Sequence, residues 1–387
     1  MIKRISINEL QVGMYVCDKP AEIELKTLAS QGFVRRKATI YKIKQAGAEY
    51  IYIDTEKGID PDIVTDSPPP VTAAPAVPSA AAREEASKIY KKSLRQINKT
   101  MSDAKLGKRV DISPIEEVAS EICKTVSKNP LALLWLTQVD ENASEVFEHS
   151  INCGILMGIF TRHLGFSKEE SSQKIAGALF HDIGKSRIEP TLLNRSENEL
   201  NTEELEERKK HILYGIEILK DAEIEDRTLI EMCHHHHEMV NGHGYPQGLE
   251  GEKLSINGKL MALVDRYENL TSNRSDGIDY TPCIAMKKIQ ELAETTLDEE
   301  LISEFLKCFG IYPSGTLVEL SNGRLAVVIT PNANEPQKPF IRIIYNRITS
   351  SYEPITELDL GISKKGIVIV RSVHPKKYNI NMDDFLH

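Results

Sequence analysis

Ala176-Gly177-Ala178-Leu179-Phe180-His181-Asp182-Ile183-Gly184-Lys185 is the stretch on which the reading of this chain turns. An apolar run delivers an adjacent His181-Asp182 pair, and a glycine and a lysine follow. Lys185 stands four residues beyond His181, on the same helical face if the helix continues. Upstream, Glu145 and His149 are also four apart in a helical stretch and project from one face. Downstream, His211 opens a helical segment, His236-His237 closes another, and Asp265 follows the apolar run Leu260 to Val264. Of the 11 histidines, nine fall between His149 and His243. A lone histidine is more often a core or surface residue than a ligand. An adjacent His-Asp, an adjacent His-His and an Asp behind an apolar run together point to a metal centre. Neutral imidazole and carboxylate suit iron, manganese or zinc in a site without thiolate.

The rest of the composition bounds what such a centre could serve. The 387 residues suffice for two or three domains, and 27% charged with 41% hydrophobic residues is ordinary for a globular protein. A net charge of -9 argues against broad nucleic-acid binding, which needs a basic surface. A small phosphate substrate is compatible with it, because metal ions supply positive charge locally. MIKRISINEL lacks the apolar core of a signal peptide, and the longest apolar run, Leu131 to Leu136, is too short to span a bilayer. The six cysteines are scattered with no CxxC, as expected of reduced thiols. The expectation is a cytoplasmic chain that engages neither nucleic acid nor membrane.

Residues 1–64 read as a small α+β domain. Ile5 and Ile7 alternate with polar neighbours, Met14-Tyr15-Val16 and Tyr50 to Asp54 are β-rich, and Ala38 to Ala46 suits a helix. Residues 65–82, with prolines 68, 69, 70, 75 and 78 among alanines, read as an extended linker. Residues 83–143 form a helical connector, and helical periodicity persists to about Phe309. Asp111-Ile112-Ser113-Pro114 marks a helix start, and Asn201-Thr202-Glu203-Glu204 carries a capping box. Residues 311–387 return to strands, expected at Leu317 to Leu320, Leu325 to Ile329, Phe340 to Tyr345 and Gly366 to Arg371. The fold class is therefore mainly α, flanked by the α+β domain and a small β-rich C-terminal subdomain.

His181-Asp182-Ile183-Gly184-Lys185, followed by His236-His237-Glu238 and Gly244-Tyr245-Pro246, resembles the HD-GYP branch of the HD-domain phosphohydrolases. The resemblance covers roughly Ser144 to Phe309, so residues 144–310 are expected to be the catalytic domain. Residues 1–64 also resemble the small domain often found ahead of HD-GYP modules, through Leu10-Gln11-Val12-Gly13-Met14 and Gln31-Gly32-Phe33. The resemblance implies a metal-dependent phosphodiesterase that hydrolyses cyclic di-GMP to linear pGpG, with onward cleavage to GMP left open. It also implies two or three divalent metal ions, Fe or Mn. By position, His149, His181, Asp182, His211, His236, His237 and Asp265 match the metal ligands, and Glu145 matches the added carboxylate of trinuclear members. Asp182 would bridge two metals, and Lys185 matches the lysine on the scissile phosphate, so these two carry catalysis. Tyr245 and Arg274 join Lys185 as substrate-binding residues, Tyr245 placed to stack or hydrogen-bond. Metals about 3.5–4 Å apart can lower the pKa of a water and clamp phosphate oxygens.

Departures from the family pattern bear on the substrate. Asp265-Arg266-Tyr267-Glu268-Asn269-Leu270-Thr271 stands where Asp-x-x-Asp-Ala-Leu-Thr is usual. Ser275-Asp276-Gly277 replaces a common Pro-Tyr-Lys, and Gln247 replaces an arginine. These changes motivate a preference for 3',3'-cyclic GMP-AMP as an alternative. The N-terminal domain motivates another, a non-catalytic module that senses a dinucleotide or docks on a signalling partner or a second copy. His234 and His235 are expected on the helix surface or behind the ligands. His163, His243, His374 and His387 are expected to be structural, and Glu197 to Glu207 is expected to be a solvated helix start.

Overall fold

A computed structural model of the chain describes residues 2–12, 14–17, 32–34, 37–45, 49–55, 78–137, 145–272, 280–293, 295–332, 335–363 and 366–385. Contacts divide the chain into two units, residues 1–73 with 161–167 and residues 74–160 with 168–387.

The N-terminal residues supply β1 (Ile2–Ser6), β2 (Tyr15–Val16), β3 (Gly32–Phe33), α1 (Lys37–Gln45) and β4 (Tyr50–Asp54). The sheet order is β1-β4-β2-β3, with Ile5 opposite Ile51 across an antiparallel pair. Alternation along β1 and β4 sends Ile5, Ile51 and Ile53 into one core with Met14, Val34 and Ile43. Gly13 and Gln31 lie outside the described residues, as does most of the expected linker.

The helical region opens with α2 (Ala80–Lys105), which begins inside the expected linker. Ser79 explains the early start, because its hydroxyl accepts from Ala82 N at 3.2 Å and the alanines that follow favour helix. Next come α3 (Ser113–Lys128), α4 (Pro130–Leu136), α5 (Glu145–Leu164) and α6 (Lys168–Phe180). A 3-10 turn at Ile183–Arg187 leads to α7 (Pro190–Leu193), α8 (Thr202–Lys209), α9 (His211–Asp221) and α10 (Arg227–His235). Then α11 (Ile256–Thr271), α12 (Pro282–Glu291) and α13 (Glu299–Phe309) complete the helices. The capping box at Asn201 and Glu204 forms as expected, and Pro114 sits in the first turn of α3. Apolar residues at helical spacing, such as Ile115, Val118, Ile122 and Val126 on α3, meet Ile151 and Ile155 of α5 and Ile175 and Leu179 of α6. Each such side chain contributes roughly 1.5–3 kcal/mol by leaving water.

The C-terminal sheet is antiparallel in the order β8-β7-β6-β5-β9. It consists of β5 (Leu317–Leu320), β6 (Arg324–Thr330), β7 (Phe340–Asn346), β8 (Ser351–Asp359) and β9 (Ile369–Ser372). Sequence reading found four of these strands and missed β8, whose polar residues and Pro354 disguise it. As an edge strand it is mostly exposed and tolerates both features. The mainly α class with flanking α+β and β-rich parts is the observed one. No helix among the described residues is long and apolar enough to cross a membrane.

Candidate metal centre

Helix α6 ends at Phe180, so Lys185 does not share a helical face with His181 as the continued helix would require. Instead the chain turns at His181-Asp182 and tightens into the 3-10 segment. Lys185 folds back, and its ammonium donates to the Asp182 carboxylate. The turn is tight because Gly184 lies against α9. A Cβ there would stand 1.8 Å from the His211 carbonyl oxygen and 2.5 Å from Gly215 N.

Asp182 is fully buried, and its two oxygens look in different directions. Oδ2 lies 3.3 Å from His181 Nε2 and 3.5 Å from His149 Nε2. Oδ1 lies 3.5 Å from His236 Nε2 and 3.6 Å from His211 Nε2, and it has no hydrogen-bond partner among the described residues. Asp265, from α11, joins the first set, with Oδ1 3.1 Å from His149 Nε2 and 3.5 Å from His181 Nε2. His237 joins the second, its ring centroid 4.3 Å from that of His236 and 5.2 Å from that of His211.

The hydrogen bonds behind these rings define what the front presents. His181 Nδ1 donates to the Ala178 carbonyl at 2.7 Å, and His211 Nδ1 donates to that of Arg208 at 2.8 Å. His236 Nδ1 faces the Met232 and Cys233 carbonyls, and His149 Nδ1 faces the Glu268 carboxylate. Carbonyls and carboxylates only accept, so each Nδ1 carries the proton. In the neutral ring each Nε2 is then a bare lone pair, and these converge: His149 and His181 at 3.3 Å, His211 and His236 at 3.3 Å. Lone pairs facing one another beside carboxylates require a cation between them. Burial, with His236 and Lys185 nearby, lowers His211 to about 3 against the pull of Asp182. Burial likewise holds His237 well below its ordinary value, so both rings are the neutral ligand form. For His181, burial opposes protonation, but Asp182 and Asp265 together raise it to about 10. Without a metal, a proton fills the cationic role there. Three groups of donor atoms lie close enough to hold a metal ion: His149, Cys153, His181 and Asp265; His211, His236 and His237; and His181, Asp182 and His236. Imidazole and carboxylate donors of this kind fit a divalent ion.

Tyr245 stacks on His237 with ring centroids 4.8 Å apart, and Lys209 Nζ lies 5.4 Å from the tyrosine ring centroid. The loop bearing Tyr245 is closed by Glu238, buried to 1% exposure. One carboxylate oxygen of Glu238 accepts from Gln247 N at 2.7 Å, the other from Leu249 N at 2.9 Å. Gly244 is needed because a Cβ would meet Met239 N at 2.4 Å. His234 and His235 stack on each other, partly exposed, away from the lone-pair cluster. Glu145 is the first residue of α5, one turn before His149, and its side chain lies outside the described part. Arg274 and Ser275 to Gly277 also lie outside the described residues.

Sequence reading assigned no role to Glu238, Glu268, Asn152 or Cys153. Glu268 is three residues after Asp265, and Asn152 and Cys153 are three and four after His149, so helical spacing alone placed them on the ligand faces. Cys153 Sγ is 3.8 Å from both ring nitrogens of His149.

Residues 138–301 match the HD domain, residues 2–115 match a domain of unknown function (DUF3391), and residues 317–381 match a KOW domain associated with HD domain. The chain is 27% identical over 372 residues to a cyclic di-GMP phosphodiesterase of Pseudomonas aeruginosa, covering 93% of this chain and 89% of the relative. It is 25% identical to 3'3'-cGAMP-specific phosphodiesterase 3 of Vibrio cholerae, over 45% of this chain and 38% of that one. The fold resembles that of an HDG"Y"P protein from Bdellovibrio bacteriovorus, with TM-score 0.50 and 16% identity over 79% of this chain and 98% of the other. The chain carries an HD domain, preceded by the DUF3391 domain.

Proposed function

We propose that this chain is a metal-dependent phosphodiesterase that hydrolyses cyclic di-GMP to linear pGpG. The observation that carries the reading is Asp182, whose two oxygens serve two separate histidine sets while Oδ1 has no partner of its own among the described residues. The full-length similarity to a cyclic di-GMP phosphodiesterase supports the substrate. His149, His181, Asp182, His211, His236, His237 and Asp265 hold two ions in this reading, Fe or Mn, with Glu145 available to a third. Bound divalent ions supply Lewis acidity toward phosphoryl oxygens and lower the pKa of a water. The chain's own groups do the rest. Lys185, partly exposed beside Asp182, keeps that carboxylate ionised and offers a cation to the phosphate. Tyr245 fixes the plane of His237 through their stacking, and Arg274 adds a second cation for the dinucleotide. The reading places the chain in the cytoplasm, where its six free cysteines stay reduced.

Anaerobically purified chain, loaded with Fe or Mn and mixed with cyclic di-GMP, should release pGpG. Absence of turnover with both metals would reject the assignment. Gln247 and Ser275-Asp276-Gly277 carry a second reading, preference for 3',3'-cyclic GMP-AMP. Parallel kinetics on the two dinucleotides decide between them, and faster cyclic di-GMP hydrolysis is expected.

A further inference from the structure

A buried chain of hydrogen bonds runs from α2 to the metal cluster. Tyr90 Oη donates to Asn152 Oδ1 at 3.3 Å, and Asn152 Nδ2 donates to Glu268 Oε1 at 3.1 Å. The other oxygen, Glu268 Oε2, accepts from His149 Nδ1. Tyr90, Asn152, Glu268 and His149 are 3, 8, 2 and 0% exposed, so bulk water is not there to replace a lost link. Each link has one polarity. A carboxylate only accepts, so the Asn152 amide nitrogen faces Glu268, its carbonyl faces Tyr90, and the tyrosine hydroxyl must donate. Ser272 Oγ adds one further donor to Glu268 Oε2 at 3.2 Å.

The end of this chain bears on metal chemistry. By holding the proton on Nδ1, Glu268 leaves the His149 Nε2 lone pair aimed at Asp265 and Asp182. A carboxylate behind an imidazole also makes the ring a stronger donor. Tyr90 sits at the other end on α2, which packs against the turn that carries Lys185.

We infer that Tyr90 is a positioning residue for the metal centre, acting through Asn152 and Glu268 on the orientation and ligand strength of His149. The placement of α2 thereby sets metal affinity. The inference rests on the metal reading proposed above. It is tested by titrating Mn2+ into the chelator-stripped full chain by calorimetry, for wild type, Tyr90→Phe, Glu268→Gln and the double variant. Tyr90→Phe removes one hydroxyl and should weaken Mn2+ binding roughly fivefold, the loss of one buried hydrogen bond. Glu268→Gln should weaken it by about tenfold or more. In this inference Tyr90 acts on the centre through Glu268, so the double variant should bind no more weakly than Glu268→Gln alone. If Glu268→Gln does not fold, Asn152→Ser interrupts the chain midway and takes its place in the cycle. A purely structural Tyr90 would lower the unfolding midpoint of the stripped chain and leave the Mn2+ affinity alone. An affinity of Tyr90→Phe within about twofold of wild type, or additive losses in the double variant, overturns the inference. A wild-type chain that takes up no Mn2+ overturns the metal reading and this inference together.

Discussion

Asp182 stands between two sets of imidazoles, with one oxygen facing His149 and His181 and the other facing His211 and His236. Its ionised state follows from its neighbours: burial alone would raise its pKa, but His181, Lys185 and His236 hold it well below the carboxylate range. Asp182→Asn keeps the volume and removes the charge that both sets share. The expected outcome is loss of bound metal by elemental analysis and a fall in cyclic di-GMP turnover of at least about a hundredfold, more than loss of an outer-shell partner brings. Unchanged metal content would show that Asp182 is not shared. Gly184 is a second decisive residue, for steric reasons. Its missing Cβ lets the turn lie on α9, and Gly184→Ala forces a methyl group into the His211 carbonyl. Backbone cannot swing aside as a side chain can, so a loss of about 2 kcal/mol or more is expected in denaturant unfolding. The displaced His211 should weaken metal uptake in the same variant.

Among the elements, the loop after α10 depends on one side chain. Glu238 accepts from two backbone N–H groups at once, and so pins Tyr245 over His237. Glu238→Gln turns one of those acceptors into a donor facing an N–H. The expected cost is about 1–3 kcal/mol in stability, with a raised KM for the dinucleotide as the tyrosine is released. Steady-state kinetics beside thermal unfolding check both. The elements also show what sequence reading could reach. His181-Asp182 and His236-His237 were legible because residue type and order alone announce a metal set. Lys185 shares a helical face with His181 only if the helix continues, and α6 ends at Phe180; the close approach of Gly184 to α9, made in tertiary structure, is not visible in local sequence. The start of α2 at Ala80 was hidden by prolines just upstream, and β8 by a polar surface that suits an edge strand. Glu268 was quoted only as a departure from a family pattern. Its partner, His149, lies 119 residues away, and spacing within α11 cannot show what faces it.

At the scale of the whole molecule, the centre ties together helices far apart in sequence. α5, α6, α9, α10 and α11 each reach it with at least one donor or neighbouring residue. Ions held there bind the folded arrangement and not the open chain, so they add RT ln(1 + [L]/Kd) to its stability, about 2.7 kcal/mol at a hundred times Kd. Removing them leaves four Nε2 lone pairs and two carboxylates converging in a buried space, relieved in part by a proton on His181. The single tryptophan, Trp135, is 3% exposed on α4, inside the same unit as the centre. Its fluorescence therefore reports the unfolding of that unit alone. Chelation should lower the Trp135 unfolding midpoint by about 5 °C, the size expected of a few kcal/mol in a domain of this length. Mn2+ added back should restore it in wild type but not in Asp182→Asn. A midpoint that chelation does not move would mean that the converging imidazoles are held by the fold alone, with no ion between them.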